Sequence, residues 1–226
     1  RQKAVSLIIT GNVFVSEKKT EKPGKLVKSN EIIKIKKKEN KWVSRGGIKL
    51  SNALRTFSVK VNQKVCMDIG CSTGGFTHVL LSGSAKKIYA IDVGYGQFDW
   101  ELRKSERINL LEKTNARYID SGMIKEKIDL MVCDVSFISL KKVLAPCKVF
   151  LAEKYEIICL IKPQFELKKS DVGKGGIIRD EVLQKKICDE IKNWFEFEFQ
   201  PKTIQLAESI IKGQKGNREF FIYAKK

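Results

Sequence analysis

Val65-Cys66-Met67-Asp68-Ile69-Gly70-Cys71-Ser72-Thr73-Gly74-Gly75-Phe76 reads as an apolar strand that ends in an acid, turns on glycine and opens a helix. Such a turn puts backbone N–H groups and a carboxylate at the carboxyl end of a sheet strand, where open α/β folds bind nucleotide-like ligands. Outward from it the pattern alternates. Strand-like runs occupy 64–69, 87–92, 107–112, 128–134, 155–161, 197–206 and 218–224, with helix-like segments at 75–83, 95–104, 139–152 and 179–195. Val65, Ile69, Ile88, Ala90, Leu130, Val132, Ile157, Ile158 and Leu160 suit parallel strands covered on both faces. The alternation Phe195-Glu196-Phe197-Glu198-Phe199 marks a change from helical to strand period, and 217–224 is expected to be a last, antiparallel strand. The expectation is a doubly wound, Rossmann-like α/β sheet of about seven strands.

Residues 1–41 follow another pattern. Ala4, Leu7 and Ile8 form a short helical stretch that stops at Gly11, Val13 and Val15 alternate, Pro23-Gly24 turns, and Ile32, Ile33 and Ile35 run into Lys36-Lys37-Lys38. This is too little to form a core alone, so it must dock on other structure. Glu39–Val43 is a short polar linker, after which Ser44 caps a helix, Arg45–Phe57, with Ile48, Ala53, Leu54 and Phe57 toward the sheet. The expected division is a small module at 1–41 and the α/β domain at 42–226.

Charge separates the two parts. The 226 residues carry a formal +18, and residues 1–60 hold 16 Lys and Arg against 4 Asp and Glu. A local excess of that size points to a polyanion, most simply nucleic acid. The six cysteines (66, 71, 133, 147, 159 and 188) contain no C-x-x-C pair and sit largely in apolar runs, so they read as buried thiols in a reducing, cytoplasmic setting. With His78 the only histidine, His-based metal sites and Ser-His-Asp triads are excluded. No apolar run reaches the ~18 residues of a membrane span, and no signal peptide is visible. The lack of an initiator Met leads to the expectation of a fragment.

The glycine loop also narrows the cofactor. Ser72 stands where a dinucleotide site needs its second glycine, and Gly173-Lys174-Gly175-Gly176 lacks the spacing of a phosphate-binding loop. Asp92 ends the next strand 22 residues after Gly70, where a ribose diol would be held. A glycine loop for a non-phosphorylated ligand, with acids on both sides, suits the sulfonium and ammonium of S-adenosylmethionine. Asp68, Gly70, Ser72, Thr73, Gly74, Gly75, Phe76, Asp92, Tyr95 and Asp134 are the candidate cofactor residues. Strand ends in a doubly wound sheet converge on one rim, which puts Asp134 and Lys162 near the methyl donor. Spacing alone does not bring Lys49 or Glu219 there.

Six motifs, in order, carry a resemblance: Val43–Leu50 (V-S-R-G-G-I-K-L), Asp68–Phe76, Ala90–Gln97 (A-I-D-V-G-Y-G-Q), Asp134–Leu140 (D-V-S-F-I-S-L), Ile161–Glu166 (I-K-P-Q-F-E) and Val172–Gly176 (V-G-K-G-G). From about 43 to 222 the chain resembles the TlyA (haemolysin A) family, within the broader FtsJ-like ribose 2′-O-methyltransferases. The resemblance implies a Lys-Asp-Lys-Glu catalytic tetrad at Lys49, Asp134, Lys162 and Glu219, and 2′-O-methylation of a cytidine in rRNA or ribosomal subunits. Large-subunit rRNA is the expected target, since the chain ends seven residues after Glu219; longer members also modify small-subunit rRNA.

The tetrad suits a hydroxyl acceptor. Two lysines sharing a partly buried site repel each other's protons, and carboxylates hold them and oppose the full effect. Lys162 is assigned to deprotonate or steer the hydroxyl and Lys49 to tune it, with the identity of the base left open. Phe137 is read either as a stacking surface for a flipped base or as a core aromatic. Amino-group methylation is disfavoured because Val135-Ser136-Phe137 replaces Pro-Pro-aromatic, and Pro146-Cys147 lies in a helical segment away from strand ends.

Residues 1–27 resemble the back part of an S-four-type RNA-binding domain through Arg1-x-x-Ala4-x-x-Leu7-Ile8-x-x-Gly11-x-Val13-x-Val15, Lys22-Pro23-Gly24 and Val27. Its first helix is missing from the sequence, and Ser16-Glu17 replaces the usual Asn-Gly. Lys18, Lys19, Lys25, Lys36, Lys37, Lys38 and Arg45 are the candidate RNA contacts. Two rival functions remain at this level: a membrane-active haemolysin, and an rRNA-binding assembly factor without turnover.

Overall fold

The computed structural model describes residues 2–35, 41–167, 174–213 and 216–226. Lys36, Lys37 and Lys38, and positions 168–173 of the glycine-rich loop, lie outside the described residues.

The first part is a helix, α1 (Gln2–Ile9), and three short strands, β1 (Val13–Val15), β2 (Lys18–Thr20) and β3 (Ile33–Ile35), in the order β2-β1-β3. β1 and β2 pair with Val15 opposite Lys18, so Ser16-Glu17 is a two-residue turn. Both turn residues have positive φ, 47° and 66°. That backbone is the primed turn Asn-Gly adopts most easily, here imposed on less suited residues by the strand twist.

The second part is one sheet. α2 (Arg45–Thr56) leads into β4 (Val65–Ile69), α3 (Gly75–Ser82), β5 (Lys87–Ile91), α4 (Trp100–Arg103) and β6 (Ile108–Leu111). β7 (Ile128–Cys133), α5 (Leu140–Cys147), β8 (Leu151–Ile161), α6 (Pro163–Glu166), α7 (Glu181–Phe199), β9 (Thr203–Glu208) and β10 (Phe220–Lys225) follow. The strand order is β6-β5-β4-β7-β8-β10-β9. Neighbours from β6 to β8 are parallel, and β10 is antiparallel to both β8 and β9. This is the expected doubly wound sheet with its antiparallel last strand.

Side chains alternate between two cores, as the two-residue period of a strand requires. Ile158 and Leu160 join Leu50, Ala53 and Phe57 of the α2 region and Val79 and Leu80 of α3 on one face. Ile157, Cys159 and Ile161 join Val143 and Leu144 of α5 and Ile187 and Ile191 of α7 on the other. All six thiols are free and buried, and burial pushes those of Cys66 and Cys147 up to about 12, so neither is poised as a nucleophile.

Three local expectations are corrected. The segment 95–104 is helical only over Trp100–Arg103. The helix expected to reach 152 ends at Cys147, one residue past Pro146; a short 3₁₀ turn follows, and β8 starts at Leu151. The Phe195–Phe199 alternation is not strand: α7 continues through Phe199. Phe195 and Phe199, four residues apart, share the buried helix face, while Phe197 points out at 81% exposure. Phe195 and Phe199 suit the four-residue spacing of a helix face as well as the strand period, and packing chose the helix, leaving Phe197 outside.

Candidate active site

At β4 the chain leaves the sheet through Gly70 (φ 81°), Ser72 (φ 47°) and Gly74 (φ 91°) before α3 begins. Gly70 and Cys71 N–H both bond to the Ile91 carbonyl, at 2.9 and 3.1 Å. A Cβ on Gly70 would lie 2.6 Å from the Asp134 carbonyl oxygen, so this glycine lets β4 and β7 end side by side. Gly75 serves a different approach. Its missing Cβ leaves room for the N-terminus of α2, and the Gly47 backbone nitrogen would be 3.0 Å from it. The two glycine-bearing motifs therefore pack on each other, which carries Lys49 to the rim of the sheet. Ser44 stands at the N-cap of α2, yet its side chain makes no capping bond, a departure from the expected cap.

A cleft of about 1100 Å³ opens along this rim. Lys49, Asp134, Lys162 and Glu219 all line it, together with Gly70, Ser72, Thr73, Gly75 and Phe76 of the loop and Arg45 of α2. The four charged residues form two pairs. Lys49 Nζ donates to Glu219 Oε2 at 2.5 Å, both side chains buried. Lys162 Nζ stands 2.6 Å from Asp134 Oδ1 and donates to Ser136 Oγ at 2.9 Å. Each lysine thus has a carboxylate of its own, and Lys162 also gives an Nζ proton to Ser136.

The other candidate cofactor residues lie around this cleft without lining it. Asp68 is fully buried in β4; Thr77 Oγ1 donates to its Oδ2 at 2.6 Å, and its Oδ1 has no hydrogen-bond partner among the described residues. Burial pushes the Asp68 carboxyl up to about 7; the Thr77 bond opposes this and the nearby Asp134 charge adds to it. Asp92 accepts the Ser72 N–H at 2.8 Å and the Gly94 N–H at 2.7 Å. The loop N–H that a phosphate would seek is therefore already held by a carboxylate. Gly74 packs against Phe98 and Leu102, and Tyr95 is exposed with Lys113 over its ring. Three acids around a loop whose N–H is occupied fit a cationic, non-phosphorylated ligand, and the unpartnered Asp68 oxygen beneath it fits the same ligand.

Several residues at the site were not picked out from the sequence. Gly213 lines the cleft, and a Cβ there would lie 2.6 Å from Glu219 Cδ. Asn217 is buried; its Oδ1 accepts the Ile178 N–H at 3.0 Å, its Nδ2 donates to the Gly176 carbonyl at 2.8 Å, and its own carbonyl accepts from Gly213 N–H. The described end of the glycine-rich loop is thereby tied to the segment that leads through Glu219 into β10. Nothing in the local sequence marks Gly213, since its need arises from a side chain six residues away. Phe137 is no core aromatic: it is 89% exposed at the cleft, 4.8 Å from Phe165 ring to ring. His78 packs edge-on against Trp42.

The lysines of the first part stand apart from this cleft. Lys18, Lys19 and Lys25 are exposed, Lys19 beside Glu21 at 2.6 Å. Arg45 donates to the Lys212 carbonyl at 2.9 Å, pinning α2 to the loop before Asn217. Among the described residues no helix is long and apolar enough to cross a membrane, and no three His, Cys, Asp or Glu side chains gather as metal ligands.

Residues 42–226 match the model of the FtsJ-like methyltransferase family. The 16S/23S rRNA (cytidine-2′-O)-methyltransferase TlyA of Mycobacterium tuberculosis is 38% identical over 224 residues, covering 99% of this chain and 83% of that protein. The 23S rRNA (cytidine-2′-O)-methyltransferase TlyA of Campylobacter jejuni is 42% identical over 184 residues, 80% of this chain and 70% of its own. Among solved structures, one described as a hemolysin from Streptococcus thermophilus superposes with a TM-score of 0.76 at 34% identity, covering 97% of this chain and 80% of that one. Likeness at this level, spanning the sheet, the glycine loop and both lysine pairs, has one reading: the chain belongs to the FtsJ-like methyltransferase family.

Proposed function

We propose that this protein transfers a methyl group from S-adenosylmethionine to the ribose 2′-hydroxyl of a cytidine in rRNA, acting on ribosomal RNA or subunits in the cytoplasm. The observation that carries this reading is two lysine–carboxylate contacts, the buried Lys49–Glu219 and the partly buried Lys162–Asp134, on the cleft that also holds the Gly70–Gly75 loop. The named activities of the two TlyA relatives support the acceptor. Large-subunit rRNA is the target common to both, and it is the one proposed here.

S-adenosylmethionine, when bound, supplies an electrophilic methyl on a sulfonium. Asp68, Asp92 and the Gly70–Gly74 loop are the residues that would hold it. The chain's own part is to bring a poor nucleophile into line and take its proton. Lys162, paired with Asp134 and bonded to Ser136, is the residue that meets the hydroxyl. The hydroxyl proton passes to Nζ as that nitrogen yields one to the Asp134 carboxylate, so Lys162 stays an ammonium while Asp134 becomes neutral, and the negative charge lost there balances the positive charge lost with the methyl from the sulfonium. Lys49 and Glu219 keep a second, balanced pair beside the first. Alignment of the hydroxyl supplies much of the rate, and Phe137 offers an exposed ring on which the acceptor base stacks.

Residues 42–226 are proposed as the methyltransferase domain and residues 1–41 as an RNA-binding module with its own small sheet. Lys18, Lys19, Lys25 and Lys36–Lys38, with Arg45 at the rim, are its proposed phosphate contacts.

The test is transfer of labelled methyl to ribosomal subunits and naked rRNA, with the modified ribose mapped. Lys162→Ala is expected to bind cofactor normally and to lose about 10²–10⁴-fold in turnover. Full activity in that variant would refute the assignment. Absence of incorporation into any rRNA by the wild type would favour a binding protein without turnover, and lysis of liposomes by the cofactor-free protein would favour the membrane-active alternative.

A further inference from the structure

The segments after β7 and β8 line the cleft: Asp134, Ser136 and Phe137 after β7, and Lys162 with Phe165 of α6 after β8. One carboxylate ties these segments together. Glu166, the last residue of α6, accepts the Leu140 backbone N–H through Oε1 at 2.9 Å, and the Ser139 hydroxyl lies near enough to favour its charged form. Ser139 in turn accepts the Lys141 N–H at the N-cap of α5. Burial pushes the Glu166 carboxyl up, and the Leu140 bond and the Ser139 hydroxyl oppose that shift. The proposed proton transfer makes no use of this group.

Phe137 shows what such a tie is for. Its φ is 66°, a left-handed backbone that is strained for a bulky residue and survives only where the surroundings fix it. Its exposed ring cannot supply that fixing. On one side the chain is held by the Asp134 N–H on the Ile69 carbonyl at 3.0 Å. On the other side it is held at Ser139 and Leu140, by Glu166.

We infer that Glu166 is a positioning residue: by tying the start of α5 to the end of α6 it fixes the 134–139 loop, so that Phe137, backed by Phe165, stands at the cleft for the acceptor nucleotide. The inference rests on the proposed function for the identity of that nucleotide. The contact itself does not, and the experiment separates the two.

In the full-length chain, the ring-to-ring nuclear Overhauser contact between Phe137 and Phe165 is followed alongside methyl transfer to rRNA. Glu166→Ala is expected to abolish the contact and cut kcat/KM by about tenfold or more, chiefly through KM for RNA, with cofactor affinity unchanged. Glu166→Gln keeps a carbonyl oxygen for the Leu140 N–H and should recover most of both. In a Phe137→Ala background, Glu166→Ala should add little further loss, because it acts through that residue. An intact contact or full kcat/KM in Glu166→Ala overturns the inference, as does a loss that adds in full to that of Phe137→Ala. Should Glu166→Ala fail to fold, Ser139→Ala must weaken the contact, and no change there overturns it equally. If the wild type moved no methyl to rRNA while the ring contact followed Glu166 as expected, the proposed function would fall and the clamp would stand.

Discussion

Adding one methyl group at Gly213 tests whether the Lys49–Glu219 pair must be closed. A Cβ at Gly213 would lie 2.6 Å from Glu219 Cδ, about 1 Å inside an ordinary carbon–carbon contact. Glu219 is only 3% exposed, so its carboxylate has no free volume except toward the cleft. A retreat of about 1 Å stretches the 2.5 Å contact with Lys49 to the limit of hydrogen-bond range. Full rupture of a buried pair costs about 3–5 kcal/mol. Partial opening plus local overpacking should therefore destabilise Gly213→Ala by about 2–3 kcal/mol.

A displacement of this size at a reacting group costs about 10²-fold in rate. Single-turnover methyl transfer, calorimetric cofactor binding and denaturant unfolding read the three consequences separately: turnover falls, cofactor affinity holds, stability drops. Gly216→Ala is the matched control in the same loop. Gly216 has φ 85° with open space around its would-be Cβ, so alanine there costs backbone strain of about 1 kcal/mol without touching Glu219. Wild-type turnover in Gly213→Ala, or an equal loss in Gly216→Ala, would refute the reasoning.

Other consequences follow from the same geometry. Because burial raises the Asp68 carboxyl to about 7, the folded state holds a proton that the unfolded chain releases near pH 4, so this group makes stability fall as pH rises from about 4 to about 7. The loss is at most about 4 kcal/mol; Asp68→Asn should flatten that window in urea titrations of cofactor-free protein, and an unchanged slope would contradict it. Asn217→Ala frees the Gly176 carbonyl and the Ile178 N–H and should cost about 2 kcal/mol with a higher KM for RNA; unaltered unfolding would show that the loop tie carries no weight. Replacing Lys18 and Lys25 by alanine should lower the salt slope of log affinity for rRNA by about 1.5 if both neutralise phosphates, and an unchanged slope would remove them from the interface.

Much of the architecture was readable from residue order. Six of the seven strand runs and the antiparallel return were visible because the inner strands of a covered sheet are apolar on both faces, which leaves a dense local signal; the run expected at 197–206 holds strand only from Thr203, where β9 is largely exposed. The Phe195–Phe199 segment misled because Phe195 and Phe199, four residues apart, fit a helix face and a strand face alike until the α7 side of the core decides between them. Ser44 misled in a milder way, since residue type marks a cap position but not whether the hydroxyl bonds there.

At the site, sequence by itself determined the glycine loop, the acids at the strand ends and, through resemblance, the four charged residues. These are local facts: a turn, a strand terminus, a motif. Only the tertiary structure decided how they meet. It paired Lys49 with Glu219 across 170 positions of chain and Lys162 with Asp134, seated α2 on α3 through Gly47 and Gly75, and made Gly213 necessary to a carboxylate six residues on. It also moved Phe137 from an open choice to an exposed ring held by its neighbours. The physical reason is range. Chain periodicity reports what each residue needs nearby, whereas ion pairing, close helix approach and backbone strain depend on what folding brings alongside it.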